Sequence, residues 1–243
     1  GTSGSGKTTL LRILRGVEKF DEGEVRVERY TLKPDSTQFY FNQVKKETAI
    51  HLQRSFGIWP ETALDNVVRK LYGAKYGDEA GTDFELAHNQ FDKEAYELLD
   101  LVGLKEKSDH LASVLSGGEK TRVNLCTIMS KDPEVLLLDE PTNHLDFEAL
   151  SELETFVKSC GKTVVVVSHD RYFIDKVADK TVLIENGKAY VTNGGYTKFL
   201  EENRLRKEKD EQDYINQQNE INRLEEAAKK LRSFGRIGDN ENF

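Results

Sequence analysis

Cysteine is scarce in this chain, and the two present, Cys126 and Cys160, are isolated and carry no metal-ligand spacing. They read as ordinary thiols of a reducing compartment. No apolar run approaches the ~20 residues that cross a bilayer, and no signal-peptide pattern is visible. Positive charge is also in deficit, with 35 Lys and Arg against 43 Asp and Glu for a net charge of −8. That balance argues against blanket nucleic-acid binding, so any contact with RNA requires a local basic patch. A length of 243 residues is still enough for one large or two small domains with ample core. These absences together point to a charge-rich cytoplasmic protein.

The strongest signal comes first in the chain. Gly1-Thr2-Ser3-Gly4-Ser5-Gly6-Lys7-Thr8 fits the phosphate-loop pattern G-x-x-x-x-G-K-[ST] without mismatch. Its glycines let successive backbone N–H groups converge on one anion. Lys7 can then reach the β and γ phosphates of ATP, and the Thr8 hydroxyl can ligate Mg²⁺. The run from Thr9 to Leu14 is helical in pattern, so the positive end of a helix dipole would face the phosphates. A buried strand should feed such a loop. None precedes Gly1, which predicts that the true N-terminus lies upstream.

Beyond the loop, Glu24–Glu28 alternates like a half-buried strand, and Gln38–Phe41 and Thr48–Leu52 read as two further strands. Thr62–Tyr72 and Phe91–Val102 carry helical spacing, with a glycine-bearing loop over 73–82. A helix from about Lys120 to Ser130 follows Leu115-Ser116-Gly117-Gly118-Glu119.

Val135-Leu136-Leu137-Leu138 is an apolar run that ends in Asp139-Glu140. It suits a buried parallel strand delivering two carboxylates to its C-terminal edge, where open α/β sheets bind ligands. Asp139 would hold the Mg²⁺ shell, and Glu140 would act as general base on the attacking water. A second such strand, Thr163–Ser168, ends in His169-Asp170 and places His169 on the same edge as a γ-phosphate sensor. Alone, each acid or histidine reads more simply as a solvated strand end. Combined with the loop at Gly1, they read as one site.

In this order, phosphate loop, glutamine, Leu-Ser-Gly-Gly-Glu, paired acids and Ser-His-Asp resemble an ATP-binding-cassette nucleotide-binding domain. The resemblance runs from Gly1 to about Leu200 and implies an α/β P-loop NTPase fold with a helical subdomain at about 60–130. It makes Ser116, Gly117 and Gly118 a signature loop that closes on the nucleotide of a second cassette, in the same full-length chain or in a dimer. It also adds Thr9 and Asp146 to the nucleotide contacts and requires a loop glutamine with a catalytic and metal-binding role. Gln43 and Gln53 both compete for that place. Gln53 is favoured because Thr62-Ala63-Leu64-Asp65-Asn66-Val67 follows it at the expected interval.

Asn143-His144-Leu145-Asp146, Ser168–Phe173 and Gly195-Tyr196 with Phe199-Leu200 narrow the resemblance to the ABC-F branch, ATPases with tandem cassettes that act on ribosomes. The adenine-stacking aromatic of the family lies upstream of the phosphate loop and is missing here. Residues 201–243 then form a separate, strongly charged segment, and 201–232 lack glycine and proline. Tyr214, Ile221, Leu224, Ala228 and Leu231 follow a three/four spacing, which predicts a long helix needing a partner. Gly235 and Gly238-Asp239-Asn240 would make a reversal. The segment resembles the interdomain linker of the branch, whose tip reaches the ribosomal tRNA sites. Lys229, Lys230, Arg232 and Arg236 near that tip are either a solvated face or a contact to rRNA or tRNA phosphates. The leading reading is therefore an ATPase working on the ribosome. A transporter's nucleotide-binding subunit is the alternative. A chromosome-maintenance head is disfavoured because there the coil separates phosphate loop from signature.

Overall fold

The computed structural model describes residues 6–51, 57–77, 81–143, 145–185 and 187–238. At its centre, β3 (Thr48–His51), β4 (Val135–Asp139) and β5 (Thr163–Val167) pair in parallel in the order β3-β4-β5. The register sets Leu138 opposite both His51 and Val166, and Asp139 opposite Val167, so the three strands end together. Leu136, Leu137 and Leu138 are fully buried, as expected of a strand covered on both faces.

Helices close over this sheet. α1 (Lys7–Leu14) begins directly after Gly6, whose φ of 81° turns the chain into it. α3 (Ala63–Tyr76) starts at a capping box, in which the Thr62 hydroxyl accepts from the Asp65 N–H while the Asp65 carboxylate accepts from the Thr62 N–H. Leu64, Val67, Val68 and Leu71 form its buried stripe. α4 (Phe84–Leu101), capped by Asp83, buries Ala87, Phe91, Ala95 and Leu99 at strict four-residue spacing against α3. α5 (Gly117–Met129), α6 (Phe147–Ser159) and α7 (Arg171–Val177) complete the layer, with Asp146 and Asp170 capping the last two. One continuous core joins α3 through α7 to the parallel sheet, while Ile13 and Leu14 of α1 pack against a smaller cluster.

Two antiparallel hairpins flank this body. The first is β1 (Val25–Val27) with β2 (Tyr30–Leu32), and it packs with α2 (Gln38–Glu47) over a smaller core of Val25, Val27, Leu32, Phe41 and Val44. The second is β6 (Lys180–Glu185) with β7 (Lys188–Asn193). From it the chain enters α8 (Tyr196–Gly238), a helix of 43 residues and so about 65 Å long at ~1.5 Å per residue.

Three sequence expectations are corrected here. Residues 38–41 are the first turn of α2, not a strand. Phe41 and Val44 are buried three residues apart while Phe39 and Tyr40 stay exposed, a helical pattern that an aromatic run of four residues cannot reveal. The expected loop from Gly73 begins later, because α3 continues to Tyr76 and stops at left-handed Gly77. Of the expected reversal, Gly235 makes no turn, since α8 runs through it to Gly238, and Asp239 and Asn240 lie outside the described residues. A glycine inside a helix costs only about 1 kcal/mol, too little to end one. The boundary drawn at Leu200 falls inside this same helix.

Phe156 on α6 is 1% exposed and belongs to the main core. Phe156→Ala should lower the unfolding free energy by about 3–5 kcal/mol in urea denaturation. A loss below about 1 kcal/mol would mean that α6 is not part of the cooperative core.

Candidate nucleotide site

The site forms where the parallel strands end. Thr8, on the first turn of α1, donates its hydroxyl to Asp139 Oδ2 at 2.9 Å, joining positions 131 residues apart. Asp139 is 7% exposed and closes β4, so its carboxylate is held at the strand end. A hydroxyl and a carboxylate oxygen converging in this way suit a hard divalent cation that keeps waters and phosphate oxygens as its other ligands. The residues present therefore fit Mg²⁺. Among the described residues no group of three or more His, Cys, Asp or Glu could hold a metal by itself, so a phosphate-sharing ion is the fitting kind.

Glu140 follows with φ at +50°, a left-handed conformation that a non-glycine residue adopts only when held there. What holds it is visible on both sides. Its N–H donates to the Val167 carbonyl at 2.8 Å, and its Oε2 accepts the His169 backbone N–H at 3.2 Å. Oε1 lies 3.1 Å from His169 Nε2. The Glu140 side chain is 11% exposed against 64% for His169, so the ring covers the carboxylate from the solvent side. Thr142 and Ser168 share a hydrogen bond at 2.9 Å, and the Asp170 N–H donates to Ser168 Oγ at 3.0 Å, which ties the two loops together. The Glu140 carboxylate is thus held between the backbone and the exposed ring of His169.

The signature segment lies at the start of α5. Ser116 Oγ accepts from the Glu119 N–H at 3.2 Å, and the Ser116 N–H donates to Glu119 Oε2 at 2.8 Å. Burial pushes the Glu119 carboxyl up, but Lys107 and the Ser116 bonds outweigh it and hold the carboxyl below its ordinary range. The two glycines differ in kind. A Cβ on Gly118 would stand 2.8 Å from Ala149 Cβ, so this glycine permits α5 and α6 to touch. A Cβ on Gly117 would meet nothing within 4 Å. Gly117 therefore leaves an open backbone surface that packing within this chain does not explain.

Several expected residues fall elsewhere or outside the described part. Gly1, Thr2, Ser3, Gly4, Ser5, Gln53 and His144 lie outside the described residues. Gly6, Lys7, Thr8 and Thr9 open α1 as described. Asp146 directs Oδ1 to the Ala149 N–H at 2.8 Å as the cap of α6 and is otherwise exposed. Gln43 sits on α2, where its Oε1 lies 3.5 Å from the Tyr30 hydroxyl, and it does not follow a strand. β3, by contrast, ends at His51, two residues before Gln53.

Sequence reasoning missed one buried polar pair. The Asn124 side-chain amide, on α5, lies 3.0 Å from His51 Nδ1 at the end of β3, and burial pushes the histidine's affinity for a proton down. A histidine inside the apolar run 48–52 was the available signal. The pair fixes α5 to the strand end beside Asp139.

Parallel strands delivering carboxylates toward a glycine-loop helix define an α/β P-loop nucleotide-binding fold. A family model described as ABC transporter matches residues 1–143, and a second with the same description matches residues 182–236. The chain belongs to the ABC transporter family and carries its ATP-binding cassette. An uncharacterized ABC transporter ATP-binding protein of Methanocaldococcus jannaschii is 38% identical over 196 residues, covering 77% of this chain and 34% of that protein. The energy-dependent translational throttle protein EttA of Escherichia coli is 36% identical over 223 residues, 83% of this chain and 38% of its own length. The L-cystine import ATP-binding protein TcyC of Bacillus subtilis is 34% identical over 198 residues, 77% of this chain and 74% of its own. A dimeric post-hydrolysis structure of an ATP-binding cassette bound to ADP and Pi matches with a TM-score of 0.60 at 27% identity, covering 79% of this chain and 82% of that one. The chain thus spans 34% and 38% of the first two relatives. No helix of the described residues is long and apolar enough to cross a membrane.

Gly118→Ala should destabilise the fold by about 1–3 kcal/mol through overpacking against Ala149. Gly117→Ala should leave thermal unfolding within a degree or two of wild type while reducing nucleotide turnover in the paired protein. Equal loss of stability from both variants would contradict the division of labour between these glycines.

Proposed function

We propose that this chain is the ATP-hydrolysing first cassette, with part of the following linker, of an ABC-F-type protein that acts on the ribosome. The observation that carries the ATPase part is the Thr8–Asp139 hydrogen bond, which brings the phosphate-loop helix onto the acid-bearing strand end. When bound, Mg²⁺ would be held by Thr8 and Asp139, with Gln53 as a further ligand, and would neutralise charge on the phosphates. Lys7 and the backbone of Gly1–Thr9 orient the phosphates. Glu140 accepts the proton of the attacking water. His169 swings from Glu140 Oε1 toward the γ-phosphate, which frees that oxygen for the water and makes the ring a sensor of the phosphate.

Ser116, Gly117 and Gly118 complete the site of a second cassette, and Asp146 lies at the same face. The exposed Gly117 backbone and the N-terminus of α5 support this reading, since anions are favoured at helix N-termini. A dimeric cassette of the same fold supports pairing.

The ribosomal part is supported by the likeness to a translational throttle protein and by α8, a long, charged helix like an interdomain linker. Lys229 and Lys230 are exposed near its far end, and with Arg232 and Arg236 they would contact rRNA or tRNA phosphates. Residues 1–200 act as the cassette, 201–243 as the linker, and the protein works in the cytoplasm. The similarity to a cystine-import subunit favours a second reading, in which the cassette energises a membrane partner.

Glu140→Gln in the complete two-cassette protein should retain ATP binding and lower turnover by about 10²–10⁴-fold, the usual contribution of general-base catalysis. Turnover within twofold of wild type would remove Glu140 from that role. Trapped in this way, the protein should co-sediment with ribosomes in a salt-dependent manner. Co-purification with membranes, and no ribosome binding at any salt concentration, would select the transporter reading.

A further inference from the structure

We propose that Asp175 is a positioning residue that couples the His169 switch to α8 through a fixed joint between α7 and the first turn of the long helix. The inference rests on the ATP-driven reading above and names the contact through which that drive would leave the site.

The joint is built from residues on consecutive elements. His169 contacts Glu140 through both its backbone N–H and its ring. The next residue, Asp170, caps α7 by accepting the Phe173 N–H at 3.0 Å, so the switch loop and the start of α7 form one hydrogen-bonded unit. Phe173 is fully buried and anchors α7 in the core. One turn further, Asp175 faces the start of α8. Its Oδ1 accepts the Thr197 N–H at 2.7 Å and its Oδ2 accepts the Thr197 hydroxyl at 2.6 Å.

Thr197 belongs to the first turn of α8, whose N–H groups have no partner within the helix. Asp175 therefore caps α8 from another helix, and its charge lies at the favourable end of the helix dipole. Approach is close enough to exclude any side chain between them. A Cβ on Gly195 would stand 2.5 Å from Asp175 Oδ1 and 2.7 Å from its Cα. Arg171, two residues after His169, places its guanidinium 5.2 Å from the ring centroid of Tyr196, the first residue of α8. Within the next turns, Glu202 accepts the Thr192 hydroxyl at 2.7 Å, and Arg206 lies over the Tyr190 ring.

The consequence is mechanical. A helix about 65 Å long carries its far end through about 6 Å when its base tilts by roughly 5°. Small movements of α7 that follow His169 are thereby enlarged at the residues near 229–236. Without the Asp175 bonds, α8 would keep its contacts to the β6–β7 hairpin and the looser Arg171–Tyr196 contact, and would report the state of the switch far less.

The test uses the full-length protein with spin labels at Lys158→Cys on α6 and Gln217→Cys on α8, other reactive cysteines being replaced. Distance distributions are measured with Mg²⁺–ADP and with Mg²⁺ plus a non-hydrolysable ATP analogue. The parent protein should show a nucleotide-dependent shift of several ångströms. Asp175→Ala should abolish at least three quarters of that shift, with nucleotide affinity within twofold of the parent. Asp175→Asn, which keeps an acceptor for the Thr197 N–H, should restore part of it. Thr197→Val, which removes only the hydroxyl bond, guards against a folding failure at position 175 and should reduce the shift. A parent shift that persists unchanged in Asp175→Ala and Thr197→Val overturns the joint alone. No shift in the parent overturns the coupling reading and the joint with it.

Discussion

The parallel pairing of β4 between β3 and β5 is the constraint on which the rest depends. Because the three strands end level, Asp139 and Glu140 emerge beside the Ser168–Asp170 turn rather than at unrelated depths. Buried carboxylates in such a place would be costly without partners. Here each has one, with Thr8 on Asp139 and His169 on Glu140. The same alignment places His51 against Asn124 and so fixes α5, whose first turn carries the signature glycines. Sheet register thus sets the geometry of two separate surfaces, the Asp139–Glu140 edge and the start of α5.

The helices that carry these surfaces begin with caps drawn from the functional segments themselves. Asp146 caps α6, Asp170 caps α7 and Ser116 caps α5. Each cap contributes typically ~1 kcal/mol, so loop residues near the site also hold the fold. Stability and site geometry are consequently difficult to vary independently at these positions. Gly117 and Gly118 show the separation that remains, one facing open space and the other facing Ala149.

How much of this was legible in the sequence depends on the range over which each signal acts. The fold class was readable from the order of motifs that resembles a cassette, and the paired acids because Val135–Leu138 is an uninterrupted apolar run ending in charge, as suits a doubly covered strand. α2 was misread because four aromatic-rich residues satisfy a strand and the first turn of a helix equally well. The long helix was foreseen from its spacing, but its continuation through Gly235 was not, since a glycine punctuates only weakly. Pairings across the chain left no local trace. Neither Asp175 with Thr197 nor His51 with Asn124 follows from spacing, because topology alone brings them together.

The central claim is that Thr8 and Asp139 form the metal-holding half of one nucleotide site. It is tested most directly by electron paramagnetic resonance of Mn²⁺ in place of Mg²⁺, titrated into the full-length protein with ATP. Phosphorus couplings should show the ion bound to the nucleotide, and Asp139→Asn or Thr8→Val should weaken its retention by about 10–100-fold. An ion bound equally well by both variants, with an unchanged spectrum, would contradict the account.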